Sequence, residues 1–180
     1  MALYTKYGDK GFTYTKVSSK TPKNHELVNF LGNLDELNSF VGMLCVHVKP
    51  AGLESQYLLT KKLMTIIFEV GAFMGYGTAL NFQKLEDVLV ELEQAIDFQE
   101  KENGVLKNFI LPTGSTASCY AHICRTIARR TERSIYEMEI LAESEAIIRF
   151  LNRISDYFFS LARTLNRTYN IEDIIWQAEG

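Results

Sequence analysis

Three arginines recur at every fourth position in the segment CRTIARRTER, namely Arg125, Arg129 and Arg133. At 3.6 residues per turn, this spacing places them on one face of a helix, together with His122 and Glu132. Stacked like charges repel one another unless something negative lies opposite, and Glu132 offsets only part of the charge. Because a planar guanidinium binds phosphate or carboxylate with two hydrogen bonds, the row predicts an anionic ligand or a partner carboxylate.

A second polar face is predicted on the next helix, over about residues 143–168. Asn152, Asp156 and Arg163 fall within about 40° of one another around this helix. The opposite face carries the apolar residues of a core: Ile147, Leu151, Ile154, Phe158, Leu161 and Leu165. Both polar faces could simply be solvated, which is the common case for the helices of a bundle. The unbalanced arginine row favours a binding face or an interface instead.

The opening segment YTKYGDKGFTYTK has no helical periodicity and combines glycines with lysines and threonines. Glycines let backbone N–H groups converge on an anion, and the lysine and threonine side chains add further donors. The segment therefore predicts an anion-binding loop, although it does not match the Walker A pattern. The residues that could form this loop are Thr5, Lys6, Gly8, Asp9, Lys10, Gly11 and Thr13.

Other catalytic chemistries find little support in the sequence. His25, His47 and His122 lie at unrelated spacings and no Glu-x-x-His pair occurs, so neither a di-iron bundle nor a structural zinc site is predicted. A GxSxG motif and a cysteine–histidine nucleophile pair are both absent from the sequence.

Two further residues, Asp35 and Phe109, each have two possible interpretations. Asp35 is either a partner carboxylate or a surface acid, and Phe109 is either a core aromatic or the apolar wall of a pocket.

The elements that position these residues are predicted to be helices, because apolar residues recur at intervals of three and four. The predicted helices cover about residues 25–48, 53–74, 85–100, 115–141 and 143–168. Asn81 and Ser115 are the expected N-caps of the third and fourth helices. No regular alternation predicts a sheet. The sequence thus predicts an all-α fold, a single domain built as a five-helix, ferritin-like up-down bundle.

Composition indicates a soluble protein of the cytoplasm. The chain has 180 residues, of which 47% are apolar and 23% charged, and its net charge is -3. This charge does not predict nucleic acid or an anionic membrane as a partner, so any anion site must be local. Cys45, Cys119 and Cys124 form no CxxC pair, which favours small core residues in a reducing compartment. Neither a signal peptide nor a membrane span is predicted.

Five sequence blocks occur in an order that resembles a known family. They are YTKYGDKGFT, GNLDELNSFVG, FILPTGS, CRTIARRTER and FLNRISDYFFSLAR. Together they resemble the PduO-type ATP:cob(I)alamin (corrinoid) adenosyltransferases over about residues 4–166. The segment KVSSKTPKNHELVNF is less similar to this family, so contacts to adenine are not assigned. No residue role is carried over from the family to the tail NIEDIIWQAEG.

The resemblance implies an arrangement of the whole chain. Residues 1–24 would form a loop that covers the nucleotide, residues 25–170 the five-helix bundle, and residues 171–180 a C-terminal tail. The assembly would be a homotrimer, with ATP held between neighbouring subunits and the corrinoid bound beside it. The ATP-binding residues that the resemblance implies are Thr5, Lys6, Gly8, Asp9, Gly11, Arg129, Glu132 and Asn152.

Individual roles also follow from the resemblance. Arg125 would pair across the subunit interface with Asp35, while Arg129 would act on the triphosphate. Mg²⁺ would bridge the phosphates and Glu132. Phe109 would help to exclude the lower axial ligand of cobalt. Arg129, Phe109, Asp35 and Arg125 are accordingly the implied catalytic set.

The implied reaction transfers the 5′-deoxyadenosyl group of ATP to Co(I) of cobalamin or another corrinoid, forming adenosylcobalamin and releasing triphosphate. Further partners would be a flavoprotein reductase and an adenosylcobalamin-dependent acceptor enzyme. Two other hypotheses remain open from the sequence. One is a binding module that senses nucleotide or carries adenosylcobalamin. The other is a helical interaction protein whose polar faces only hold an oligomer together.

Overall fold

The computed structural model describes Tyr4, residues 6–138 and residues 144–177. Five helices form a bundle, which confirms the predicted all-α fold. In chain order they are α1 (Glu26–Val48), α2 (Glu54–Tyr76), α3 (Phe82–Asn103), α4 (Thr116–Ile135) and α5 (Ser144–Thr168). Before α1, strand β1 (Phe12–Thr13) pairs antiparallel with strand β2 (Thr21–Pro22), a small ribbon that the sequence did not predict.

Side-chain caps determine where two of the helices begin. Asn81 Oδ1 accepts a hydrogen bond from Lys84 N at 3.0 Å, and Ser115 Oγ accepts one from Ser118 N at 3.1 Å. Each bond satisfies a backbone N–H group that the first turn of a helix leaves without a partner. Both predicted N-caps are therefore confirmed.

The fourth helix ends earlier than the sequence predicts. It stops at Ile135, whereas the predicted helix continued to about residue 141. The backbone N–H groups of Tyr136, Glu137 and Met138 each donate to a carbonyl three residues back, at 3.2 to 3.3 Å. Such tighter turns commonly close an α-helix. Residues 139–143 lie outside the described part of the chain.

Helices α4 and α5 form the centre of the bundle, with α4 between α1 and α5, and α5 between α4 and α3. The predicted core residues of α5 are all fully buried: Ile147, Leu151, Ile154, Phe158, Leu161 and Leu165. The buried face of α4 carries mostly small side chains, among them Ala117, Ala121, Cys124 and Ala128. Small side chains let neighbouring helices approach closely, so more of α4 is enclosed than its polarity suggests.

Two residues consequently lie in environments opposite to their prediction. His122 was predicted on the polar face of α4 but is only 4% exposed. Arg163 was predicted on the polar face of α5 but is 6% exposed, because the end of α3 covers it. Helical periodicity describes one helix, whereas burial depends on how many neighbours that helix has.

The three cysteines are free thiols. Cys45 and Cys124 are buried, which confirms them as small core residues, and Cys119 is partly buried. None of the helices in the described ranges is both long enough and apolar enough to cross a membrane.

A buried pair of hydroxyl groups joins α2 to α5, and its contribution to stability can be measured. The Tyr157 hydroxyl lies 3.0 Å from Thr60 Oγ1 and donates to the Gln56 carbonyl at 3.2 Å. We expect Tyr157→Phe to lower the free energy of unfolding by about 1 kcal/mol, because a buried hydrogen bond is lost while Thr60 keeps its bond to Gln56. Urea denaturation measures the change, with Tyr136→Phe at an exposed ring as the control. Equal stability of the native and Tyr157→Phe chains would contradict it.

Candidate functional site

The arginine row of α4 opens into a cavity of about 270 Å³ between α3, α4 and α5. Arg125 and Arg129 come from α4, one turn apart, and face Asp156 on α5. The complete lining is Ile96, Glu100, Arg125, Arg129, Ser155, Asp156, Phe159 and Ser160. Two cations and an aromatic ring thus share one cleft, a combination that suits a phosphate-bearing ligand with an apolar part.

Neither Arg125 nor Arg129 of this cavity forms an ion pair within the described residues. Arg125 is partly buried, and its buried Nε has no hydrogen-bond partner in the described ranges. Burial, and then the neighbouring charge of Arg129, lower the pKa of Arg125. The two acids of the lining are already engaged, since Glu100 is 3.4 Å from Arg163 and Asp156 is 2.9 Å from Arg153. An additional anion would satisfy these arginines.

Glu132 and Asn152, which the resemblance assigns to the nucleotide site, lie in contact near this row. Asn152 Nδ2 donates to Glu132 Oε1 at 3.1 Å, which joins α4 to α5. Among the described residues, the second carboxylate oxygen of Glu132 has no hydrogen-bond partner, so it can bind a cation. Within the described residues, no three histidine, cysteine or acidic side chains cluster into a metal site.

His122 lies beneath the cavity. Its ring meets Phe159 edge-on, with 6.1 Å between the ring centroids. Neither ring nitrogen has a hydrogen-bond partner in the described part of the chain. Burial, and then the charge of Arg125, lower the pKa of His122 to about 4, although Asp173 acts in the opposite direction. The His122 ring is therefore neutral near pH 7, so it adds no further positive charge beside Arg125 where it packs against Phe159.

Asp35 lies on a different side of the bundle. It lines a cavity of about 530 Å³ that is formed by the N-terminal segment, α1 and α2 and shares no residue with the arginine cavity. Its carboxylate has no ion pair in the described ranges, and Asn38 Oδ1 in the same lining is buried without a partner. The α1–α4 contact instead uses Arg130, which bonds to Asn33 and Glu36. A single chain does not bring Asp35 to Arg125.

The N-terminal segment is described from Lys6, so Thr5 lies outside the described residues. A short 3-10 turn, Tyr7–Lys10, lies between Lys6 at φ 60° and Gly11 at φ 80°. The left-handed conformation at its end favours glycine. The segment packs on α2, where Lys16 N donates to the Gly75 carbonyl at 2.7 Å. The described predicted loop residues, all on this side of the bundle, are Lys6, Gly8, Asp9, Lys10, Gly11 and Thr13.

Phe109 is not a core residue, because its side chain is 80% exposed. It lines a third cavity, of about 720 Å³, with the connection between α3 and α4 and with Ile175 and Trp176 of the tail. This leaves the second interpretation, an apolar wall. The aromatic ring in the arginine cavity is Phe159, which the sequence reasoning missed. Its position three residues after Asp156 placed it on the same face, and that spacing could have identified it.

A family model described as cobalamin adenosyltransferase matches residues 3–165. The corrinoid adenosyltransferase of Bacillus subtilis is 40% identical over 183 residues, covering 98% of this chain and 93% of the relative. The human corrinoid adenosyltransferase MMAB is 34% identical over 169 residues, covering 89% of this chain and 67% of the relative. The matched residues 3–165 span most of the bundle, including the segment that carries the arginine row.

Solved structures share the fold. One is a phenylalanine-to-histidine variant of the PduO-type ATP:corrinoid adenosyltransferase from Lactobacillus reuteri, complexed with cobalamin and ATP. It has a TM-score of 0.88 at 31% identity, covering 98% of this chain and 97% of that chain. An arginine-to-lysine variant complexed with ATP has a TM-score of 0.82 at 29% identity, covering 97% and 100%.

Acid sensitivity tests the environment of His122. An unfolded histidine has a pKa of about 6.5, so between this value and about 4 the unfolded state binds more protons than the folded state. Stability therefore falls as the pH falls through this window. Between about pH 7 and about pH 4.5, we expect the native chain to lose roughly 2 to 3 kcal/mol more unfolding free energy than His122→Leu. A constant packing cost of the substitution cancels in this comparison, and identical losses would contradict the assignment.

Proposed function

The chain belongs to the cobalamin adenosyltransferase family, and we propose that its site transfers the 5′-deoxyadenosyl group of ATP to Co(I) of a corrinoid. The observation that carries this proposal is the pair Arg125 and Arg129, which lines a cleft beside Phe159 and forms no ion pair within the described residues. A nucleoside triphosphate supplies the missing negative charge. Relatives of the same fold are complexed with cobalamin and ATP.

The nucleophile of this reaction belongs to the substrate. Co(I) donates an electron pair to the 5′ carbon of the ribose, the bond from that carbon to oxygen breaks, and triphosphate leaves with the electrons of that bond. The chain therefore needs no serine or cysteine nucleophile. Its contribution is to align cobalt with carbon and to stabilise the charge that grows on the triphosphate.

Arg129 is the residue we assign to the triphosphate. It lines the cleft, has no ion pair in the described ranges, and stands one turn from Arg125. A guanidinium placed on a helix beside the cleft strengthens its contact as charge develops on the leaving oxygens. Asn152 orients the neighbouring Glu132 carboxylate.

Magnesium fits this site through a single carboxylate. Mg²⁺ usually keeps several waters and is held by one or two carboxylates together with substrate phosphates, so a cluster of protein ligands is not needed. Glu132 would hold the ion, through the oxygen that Asn152 leaves free. When bound, Mg²⁺ supplies additional positive charge to the phosphates.

A second copy of the chain completes the site. Asp35 and the arginines have complementary charges but lie on different sides of one bundle. In a homotrimer whose α1–α2 face meets the α3–α5 face of the next subunit, Asp35 pairs with Arg125. The N-terminal segment then lies over the nucleotide. The residues of that segment assigned to ATP are Thr5, Lys6, Gly8, Asp9 and Gly11.

Phe109 is assigned to the corrinoid. Its exposed ring, with Ile175 and Trp176, offers an apolar wall that the chain does not use for its own core. An apolar wall beneath cobalt disfavours water or a base as lower axial ligand. The resulting four-coordinate Co(II) is easier to reduce to Co(I), because axial ligation tunes the potential.

The partners that follow are a flavoprotein reductase, which supplies the electron for Co(I), and an adenosylcobalamin-dependent enzyme, which accepts the product. A cytoplasmic location is supported by the free thiols of Cys45, Cys119 and Cys124.

Arg129 is tested by anaerobic transfer. Chemically reduced cob(I)alamin is mixed with MgATP and the chain, and adenosylcobalamin is followed by its visible spectrum. We expect Arg129→Ala to lower kcat by about 10²- to 10³-fold, the usual effect of removing one preorganised donor to developing charge. Arg149→Ala is the matched control, since that arginine pairs with Glu86 away from the cleft.

The result also separates the alternative functions. If the native chain binds ATP but forms no adenosylcobalamin, it is a nucleotide sensor or a carrier of adenosylcobalamin. If calorimetry shows no ATP binding at all, the polar faces serve only to assemble helices.

Pairing between subunits is tested by complementation. We expect Asp35→Arg and Arg125→Asp each to lose most activity, because each leaves like charges facing one another. When the two variants are unfolded together, mixed and refolded, an interface between them restores an opposite-charge pair in either orientation, and activity returns in part, because one of the three interfaces of a mixed trimer still joins two copies of the same variant. If the two side chains met within one chain, mixing would restore nothing.

A further inference from the structure

We propose that Asn166, near the C-terminal end of α5, is a positioning residue that sets where Phe109 stands, acting with Asp173 and Arg163. The proposal rests on the proposed function, since it takes Phe109 as the wall that faces the corrinoid. It assigns to α5 a role separate from the cleft.

Asn166 is 2% exposed and bonds to the backbone on both sides of Gly114, at the end of the segment 109–115. Its Oδ1 accepts from Ser115 N at 2.9 Å, and its Nδ2 donates to the Thr113 carbonyl at 3.0 Å. Between these residues, a Cβ atom on Gly114 would stand 2.1 Å from Asn166 Oδ1. The side-chain amide therefore lies directly against the turn backbone, an approach that requires glycine.

Asp173 determines which way this amide faces. Its Oδ1 accepts from Asn166 Nδ2 at 3.2 Å, and its Oδ2 accepts from Arg163 Nε at 3.0 Å. Both side-chain oxygens of residue 173 therefore have to accept a hydrogen bond, one from Asn166 and one from Arg163. An asparagine at position 173 would replace one of these acceptors with a donor. Reversing the Asn166 amide would place its oxygen against the Thr113 carbonyl.

Arg163 holds the other end of the same connection. Its guanidinium, 6% exposed, donates to the carbonyls of Asn103 and Gly104, each at 3.2 Å, where α3 ends. A cation at this position also suits the negative end of the helix dipole. The connection from α3 to α4 is therefore fastened to α5 at its beginning by Arg163 and at its end by Asn166.

Phe109 lies between these two attachments, and its ring is too exposed for packing to fix it. Its carbonyl accepts from Trp176 N at 2.8 Å, and Leu111 N donates to the Ile174 carbonyl at 2.8 Å. Asp173 immediately precedes this tail segment, so one carboxylate orients Asn166 and fixes where the tail begins. The position of Phe109 thus depends on backbone bonds that lead back to Asp173 and Asn166.

Asp173→Asn is the test, because it changes one acceptor to a donor while keeping the shape of the side chain. Trp176 is the one tryptophan of the sequence and is half exposed, so acrylamide quenching of its fluorescence reports tail docking without any ligand. We expect stronger quenching and a KM for cob(I)alamin raised about tenfold, as expected for losing a buried hydrogen bond. The KM for ATP stays unchanged, and the fraction of four-coordinate Co(II) in the electron paramagnetic resonance spectrum falls. A second variant, Asn166→Asp, should act in the same direction, because it removes the donor to Thr113.

Arg167→Gln is the matched control on the same turn of α5, where it breaks only an exposed pair with Glu102. Stronger quenching with unchanged corrinoid parameters would overturn the proposal, because the tail would then have moved without affecting the corrinoid. An equal loss of ATP binding would also overturn it, since the damage would be general. If the native chain forms no adenosylcobalamin, the proposed function has failed, and the positioning role fails with it. Stronger quenching of Trp176 in Asp173→Asn would then show only that Asp173 holds the tail in place.

Discussion

Helix α4 lies between α1 and α5 with alanine, cysteine and serine side chains on its enclosed faces, and this close packing determines where its arginines can go. Large apolar residues would have held the neighbouring helices further away and left more of α4 in solvent. With small residues, His122 is enclosed, and Arg125 and Arg129 stand at the rim of the groove above α5. The partial burial of Arg125 makes a countercharge more important there than it would be on an open surface.

The same packing divides the polar groups between two sides of the bundle. The side formed by α1 and α2 presents Asp35 and the oxygen of Asn38, which is buried without a partner among the described residues, whereas the other side presents Arg125 and Arg129, which form no ion pair within the described ranges. Each side lacks what the other offers. A ligand alone would satisfy the arginines but not Asp35, whereas the proposed assembly with another subunit would supply a countercharge to both sides.

Sequence reasoning succeeded where structure is local. The caps at Asn81 and Ser115 depend on bonds within one helical turn, and the core residues of α5 follow from its periodicity, so both could be predicted. His122 and Arg163 could not, because their burial depends on neighbours distant in sequence. The pairing of the tail with residues 109–111 has no periodic signal either. Corrinoid as substrate followed from the resemblance alone, since no spacing of residues specifies cobalt chemistry.

The chemistry of the reaction also explains why none of the pKa shifts among the described residues favours a protein nucleophile or base. Enzymes that supply their own nucleophile or base usually show a residue whose pKa is shifted toward its task. Here burial raises the pKa of Cys45, Cys124 and Tyr157, which opposes their ionisation, and it keeps His122 neutral. These shifts all disfavour the charged form and follow from packing. A chain whose substrate brings a Co(I) nucleophile needs fixed cations for a leaving triphosphate and an apolar wall for the corrinoid, and both can be built from residues whose protonation never changes.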